Sequence, residues 1–197
     1  LVIATGSSPA IPDYITVDNR RLFDSSGLLE KKTLPDSCVI LGGGVIGCEF
    51  ASLFADLGVR VTIVEQKPSL LPLWDSDLST ALVRSFKRRK IIVRTGATVE
   101  SATVNERTDL TTVCLADGTE IDADICLVAF GRKPNVNGFG LESIGVAFDD
   151  VNSGGIRVGE TMETSVEGVY AVGDVTGIRM LAHVASAQGI AAADALA

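Results

Sequence analysis

Hydrophobic positions change their period several times along the chain, and each change delimits an element. Val39, Ile40 and Leu41 form an unbroken apolar run that ends on a cluster of glycines, as a strand covered on both faces does. Beyond the glycines, Ile46, Phe50, Leu53 and Leu57 recur at intervals of three or four residues. That spacing predicts the apolar face of a helix, stopped by Gly58. Residues 60–65 follow as a second strand, 79–90 as a second helix entered through Asp75, Ser76 and Asp77, and 91–93 as a third strand. The sum is a β-α-β-α-β unit.

The flanks are less regular. Residues 1–6 read as a buried strand, 7–13 as a polar turn-rich passage, and 25–30 as a short helix interrupted by Pro35. From 98 to 122 the period becomes two, with Asp117-Gly118 as a tight-turn signal, so an antiparallel meander is expected. Residues 125–129 return to a buried strand, 131–140 read as a loop, 169–172 as another strand and 180–196 as a final helix. The predicted fold class is α/β: a Rossmann-like parallel sheet with an antiparallel β-meander crossover. If residues 169–172 and the last helix are orphaned parts of a larger domain, apolar surface on them is expected to be exposed.

Composition narrows the function classes. The 197 residues suit one domain, or one domain and part of another. A 46% hydrophobic content with mean hydropathy of +0.33 agrees with parallel strands buried on both faces. No apolar run approaches the roughly 20 residues that span a bilayer, and no basic leader precedes an apolar stretch. The chain is read as soluble and cytoplasmic, with no membrane partner. A net charge of -8 offers no footprint for a phosphate backbone, which excludes nucleic acid as an expected partner. Cys38, Cys48, Cys114 and Cys126 form no close pair and read as buried free thiols. His183 is the single histidine, so no metal site is expected.

The candidate chemistry is concentrated in Gly42-Gly43-Gly44-Val45-Ile46-Gly47, a G-x-G-x-x-G between a predicted strand and a predicted helix. In that context Gly42 permits the turn, Gly44 lets a pyrophosphate approach the backbone, and Gly47 lets the helix pack on the strand. The helix start, through Val45 and Ile46, offers unpaired N–H groups and a positive dipole end to phosphates. Glu65 closes the second strand, where its carboxylate accepts from adenosine ribose hydroxyls and repels a 2′-phosphate. No arginine follows it, so NAD(H) is favoured over NADP(H). Glu49 is placed in the first turn of the helix, suited either to the dipole or to a position beside the nicotinamide.

Several further pieces of sequence match one family. Leu1-Val2-Ile3-Ala4-Thr5-Gly6-Ser7, Gly42 to Glu49, Ala129-Phe130-Gly131-Arg132-Lys133-Pro134-Asn135, Val169-Tyr170-Ala171-Val172-Gly173-Asp174 and Met180-Leu181-Ala182-His183 together resemble the pyridine nucleotide-disulfide oxidoreductases, and within them the dihydrolipoamide dehydrogenase branch. The resemblance covers nearly the whole chain. It implies an NAD-binding domain over residues 14–134, with residues 1–13 and 135–197 as parts of an FAD domain. It assigns Glu49 and Gly131 to the nicotinamide cofactor, and Thr5, Gly6, Asp174, Met180, Leu181, Ala182 and His183 to FAD. Asp174 would hold the ribityl chain.

The same resemblance implies an NAD-linked flavoenzyme that passes electrons from a dithiol through FAD to NAD+, a lipoyl-carrying protein as partner and a second identical subunit. The family's redox-active cysteine pair and catalytic histidine have no counterpart in this sequence. The chain is therefore expected to be an excised central piece without catalytic residues of its own, inactive alone and unable to retain FAD. The alternatives are a stand-alone NAD(H)-binding sensor module, and a piece of an NADH oxidase or another disulfide reductase.

Overall fold

The computed structural model describes residues 1–149 and 154–197. In chain order they form strands β1 (Val2–Ile3), β2 (Ser7–Pro9) and β3 (Leu22–Phe23), helix α1 (Ser25–Leu29), strand β4 (Ser37–Leu41), helix α2 (Val45–Asp56), strand β5 (Arg60–Glu65) and helix α3 (Ser76–Arg88). Strands β6 (Ile92–Thr95), β7 (Val99–Asn105), β8 (Leu110–Leu115), β9 (Glu120–Ala123), β10 (Ile125–Val128) and β11 (Arg132–Pro134) follow. Last come β12 (Phe148–Asp149), β13 (Gly155–Ile156), β14 (Tyr170–Ala171) and helix α4 (Ala182–Leu196). The chain divides into two compact units, Pro9–Gly131 and Leu1–Ser8 with Arg132–Ala197. Within the smaller unit, Asn135 bonds the Thr5-Gly6 backbone.

The larger unit is built on a five-stranded sheet in the order β3-β10-β4-β5-β6, parallel at every pairing. Its central strands feed two cores, because successive side chains leave opposite faces. Cys38 and Ile40 of β4, with Ile125 and Leu127 of β10, join α2 and α3 residues such as Ala51, Phe54 and Phe86. Val39, Leu41, Cys126 and Val128 pack with Val99, Ala102, Val113 and Leu115 of the antiparallel meander β7-β8-β9. The meander thus covers the face that the helices leave bare, and the continuous apolar runs follow from burial on both sides.

The helices depart in detail from the expected pattern. The buried face of α2 is Gly47, Cys48, Ala51 and Phe54, while Leu53 and Leu57 are 49% and 50% exposed. Three of the four are small, which lets the start of the helix lie close to its strand, and Phe50 packs partly buried beside them. Helix α3 begins at Ser76, since Asp75 caps it by accepting from the Asp77 N–H at 2.9 Å. Gly58, at φ +85°, follows the C-cap Leu57 and ends α2 as expected.

The smaller unit holds the parallel pair β1-β14 and the pairs β2-β11 and β12-β13, around Ile3, Leu141, Val146, Ile156, Val169, Ala171 and Val175. Leu1 and Val2 are exposed, so only Ile3 of the first apolar run is core. Val169, Tyr170 and Ala171 are buried, which corrects the expectation of an orphaned apolar strand. The last helix does carry exposed Ile190 and Leu196. It starts at Ala182 rather than Met180, with Leu181 as an extended N-cap. The expected loop after Gly131 contains β11. Among the described residues no helix is long and apolar enough to cross a membrane, and no cluster of metal-ligating groups forms.

All four cysteines are free, and Cys114 is half-buried where the others are buried. Burial pushes the Cys38 thiol up to about 12 and Cys126 well above its ordinary value. At a pH of about 8, a thiol reagent should label Cys114 rapidly and the other three only on unfolding, as read by mass spectrometry. The sign of the alkaline effect follows from linkage. Thiols with raised folded values contribute stability that is complete below their unfolded value near 9 and lost as pH rises toward about 12. Melting temperature should therefore fall between pH about 9 and 11, and less so in the Cys38→Ala variant.

Candidate functional site

The site is built where β4 hands over to α2. Gly42 has φ +109°, and its N–H donates to the Val64 carbonyl at 2.8 Å. A Cβ there would lie 2.3 Å from the Ala129 carbonyl oxygen, so the turn passes against the end of β10 with no room for a side chain. A Cβ on Gly47 would lie 2.0 Å from the Gly42 carbonyl oxygen. That close approach sets α2 on its strand. Gly44 is different: its φ is -75°, open to any residue, and a Cβ would meet nothing within 4 Å. Glycine here opens a face of the backbone rather than relieving a clash. Gly44 is also the N-cap of α2 and no side chain caps the helix, so its first N–H groups, beginning with Val45 and Ile46, are left for a ligand.

Glu65 ends β5 beneath this turn and is 8% exposed. Its Oε2 accepts from the Gly43 N–H at 2.6 Å and its Oε1 from the Lys67 N–H at 2.7 Å. The carboxylate thus has a partner on each oxygen before any ligand arrives, with further lone pairs for hydroxyl donors. Gly131, with φ +132°, accepts from the Ala10 N–H at 2.9 Å, and a Cβ on it would meet nothing.

Glu49 is exposed and lies in the second turn of α2, with no acidic residue in the first. It is therefore not a helix-start carboxylate. It borders a groove of about 530 Å³ with Val45, Cys48 and Ser52 of α2, Leu71 and Trp74 of the following loop, and Leu78 of α3. Cys48 donates to the Gly43 carbonyl at 3.4 Å, and burial, then the charges of Glu65 and Glu49, push its thiol up to about 12. That thiol is a packing group and not a nucleophile.

In the smaller unit the residues expected at a flavin form a polar network of their own. Asp174 lies in a short 3₁₀ turn, Gly173–Thr176, where its Oδ2 accepts from Ser7 Oγ at 2.6 Å. Arg132 Nε donates to the same Ser7 Oγ at 2.6 Å and stands 4.0 Å from Asp174 Oδ2. Buried Gln188 fixes the turn by accepting from the Gly173 N–H at 2.7 Å. Thr5 Oγ1 donates to the Asn135 carbonyl at 2.7 Å, and Gly6 O accepts from the Asn135 N–H at 2.9 Å. Met180 and Leu181 are half-buried ahead of α4, and Ala182 and His183 are exposed in its first turn, which no side chain caps.

Sequence reasoning passed over Gly43, Ser7, Arg132 and Gln188. Ser7 and Arg132 lie inside motifs that assign them no role, and Gln188 carries no local signal. Gly43 was legible in principle: it is the variable position of the fingerprint, yet a glycine. A Cβ there would lie 2.5 Å from Leu70 Cδ2 and 3.2 Å from Glu65 Oε2.

A family model described as pyridine nucleotide-disulphide oxidoreductase matches residues 1–189. A dihydrolipoyl dehydrogenase of Chlamydia pneumoniae is 40% identical over 98% of the chain, which covers 41% of that protein. A soluble pyridine nucleotide transhydrogenase of Yersinia pestis is 38% identical over 100% of the chain and 41% of its own length. Among solved structures, LpdA from Mycobacterium tuberculosis superposes with a TM-score of 0.90 at 33% identity, over 99% of this chain and 42% of that one. The chain thus spans about two fifths of the length of the relatives it matches.

The two glycines that differ in surroundings should separate folding from binding. Gly47→Ala, forcing a Cβ onto the Gly42 carbonyl, should cost about 1–3 kcal/mol of stability by urea unfolding. Gly44→Ala should change stability by less than about 1 kcal/mol, the scale of an N-cap exchange. Where the turn holds NADH, as its fingerprint leads us to expect, the same variant should weaken that binding about tenfold or more in calorimetry, by filling ligand space.

Proposed function

Because the chain belongs to the pyridine nucleotide-disulphide oxidoreductase family, we propose that it is the NAD(H)-binding central part of a dihydrolipoamide dehydrogenase-type oxidoreductase, with segments that hold FAD. The observation that carries this reading is the uncapped start of α2 beside Gly44, whose open backbone face suits a pyrophosphate. Glu65 at the end of β5 suits the adenosine ribose. Residues 14–134 are proposed as the nicotinamide part, with Gly42, Gly44, Val45, Ile46, Gly47, Glu49, Glu65 and Gly131 lining the cofactor.

The flavin residues fit their group as well. Asp174 commits Oδ2 to Ser7 and leaves Oδ1 for a ribityl hydroxyl, while the uncapped α4 start at Leu181, Ala182 and His183 offers a positive dipole end to an electron-rich ring. When bound, FAD relays electrons from a dithiol and NAD+ accepts a hydride. The protein's own residues orient these groups. In the whole enzyme the reading brings a lipoyl-carrying protein, a second identical subunit and the cytoplasm, where free cysteines persist.

A second reading keeps the cofactors and changes the electron partner, and the likeness to a soluble pyridine nucleotide transhydrogenase favours it. A stand-alone sensor is less well supported, since the family match runs on through the Asp174 and His183 segments.

None of Cys38, Cys48, Cys114 and Cys126 forms a pair four or five residues apart, and Cys38 and Cys48 keep their thiols protonated. The 197-residue chain given dihydrolipoamide, FAD and NAD+ should therefore produce no NADH. Appreciable turnover would overturn the assignment of this chain as a cofactor-holding part without dithiol chemistry.

A further inference from the structure

Gly43 is held on both sides. Its N–H donates to Glu65 Oε2 at 2.6 Å, a charge-assisted bond of the short, strong kind. Its carbonyl accepts from the Leu71 N–H at 2.8 Å and from the Cys48 thiol at 3.4 Å. Leu70, fully buried, lies where a Gly43 Cβ would go. Each peptide group is planar and trans, so its N–H and C=O point in opposite directions. Fixing the Gly43 N–H on Glu65 therefore aims the Gly42 carbonyl away from Glu65, where it packs against Gly47. Fixing the Gly43 carbonyl on Leu71 aims the Gly44 N–H away from Leu71, on the residue whose face is open. Glu65 also binds the Lys67 N–H. One carboxylate thus ties the glycine turn to the loop that supplies Leu70 and Leu71.

We infer that Glu65 is a positioning residue for the pyrophosphate end of the site, acting through Gly43 to fix the glycine-turn amides before ligand binds, in addition to any contact with ribose. The inference rests on the proposed nicotinamide-dinucleotide reading, and it explains why the middle position of the fingerprint is glycine. It separates two roles that a single loss of NADH affinity would confound. A carboxylate that only accepts from ribose hydroxyls is irrelevant to a ligand lacking them. A carboxylate that orients the turn matters to every ligand that puts a pyrophosphate there.

The test uses Glu65→Gln, whose amide NH2 must face one of the two backbone N–H donors, and Gly43→Ala, which attacks the same latch from the other side. Binding of NADH and of 2′,3′-dideoxyadenosine diphosphate, which keeps the pyrophosphate and lacks the ribose hydroxyls, is measured by calorimetry. Each variant should weaken both ligands about tenfold or more, and the double variant should be no worse than the weaker single one. Retention of dideoxyadenosine diphosphate affinity in Glu65→Gln, or additive losses in the double variant, overturns the inference. If the wild-type chain binds neither ligand, the dinucleotide reading fails, and amide hydrogen exchange of the ligand-free chain then decides the latch. Gly43 exchange at least about tenfold faster in Glu65→Gln than in wild type supports it, and equal rates overturn it.

Discussion

The larger unit depends on one close approach: the Gly42 carbonyl against the Gly47 backbone, where a methyl group would stand 2.0 Å from oxygen. A helix that begins within one turn of its strand, and packs that tightly on it, keeps its uncapped N–H groups at the C-terminal edge of the sheet. Everything proposed for the site follows from that edge. There the phosphate oxygens of the proposed dinucleotide would meet N–H groups and dipole together, and the neighbouring parallel strand β5 ends with Glu65. The parallel register Leu41↔Val64 brings the acid into reach of Gly43.

The same constraint explains why the sheet needs two coverings. With α2 and α3 on one face, the strand residues of the other face, Val39, Leu41, Cys126 and Val128, would be open to water without the β7-β8-β9 meander. Cysteines Cys38 and Cys126 fill this layered core as small apolar groups, and their burial accounts for thiols raised well out of the reactive range.

Much of this was legible in the sequence because local signals agreed. The run Val39-Ile40-Leu41, the glycines and the Asp117-Gly118 turn each point to a single local structure, and the strands and meander lie where those signals put them. The register of α2 was misread in part: its buried face is Gly47, Cys48, Ala51 and Phe54, three of them small residues suited to close approach, while Leu53 and Leu57, the stronger hydrophobic signal, are exposed. Val169 to Ala171 were expected to be bare as parts of a divided domain, whereas Leu141, Val146 and Ile156, from segments without periodicity, cover them. At the site, residue types and spacing pointed to Gly42, Gly44, Gly47 and Glu65. The bonds from Glu65 to Gly43 and from Ser7 to Asp174 are tertiary, linking positions far apart in sequence, and no local pattern encodes them.

The proposed occupant of the turn before α2 is a nicotinamide dinucleotide whose adenosine ribose is unphosphorylated. Competitive calorimetry of NADH against NADPH on the 197-residue chain tests it most directly. The account predicts one NADH site per chain and at least about tenfold weaker NADPH binding, because a 2′-phosphate would meet the Glu65 carboxylate. Tighter binding of NADPH, or no binding of NADH, would contradict it.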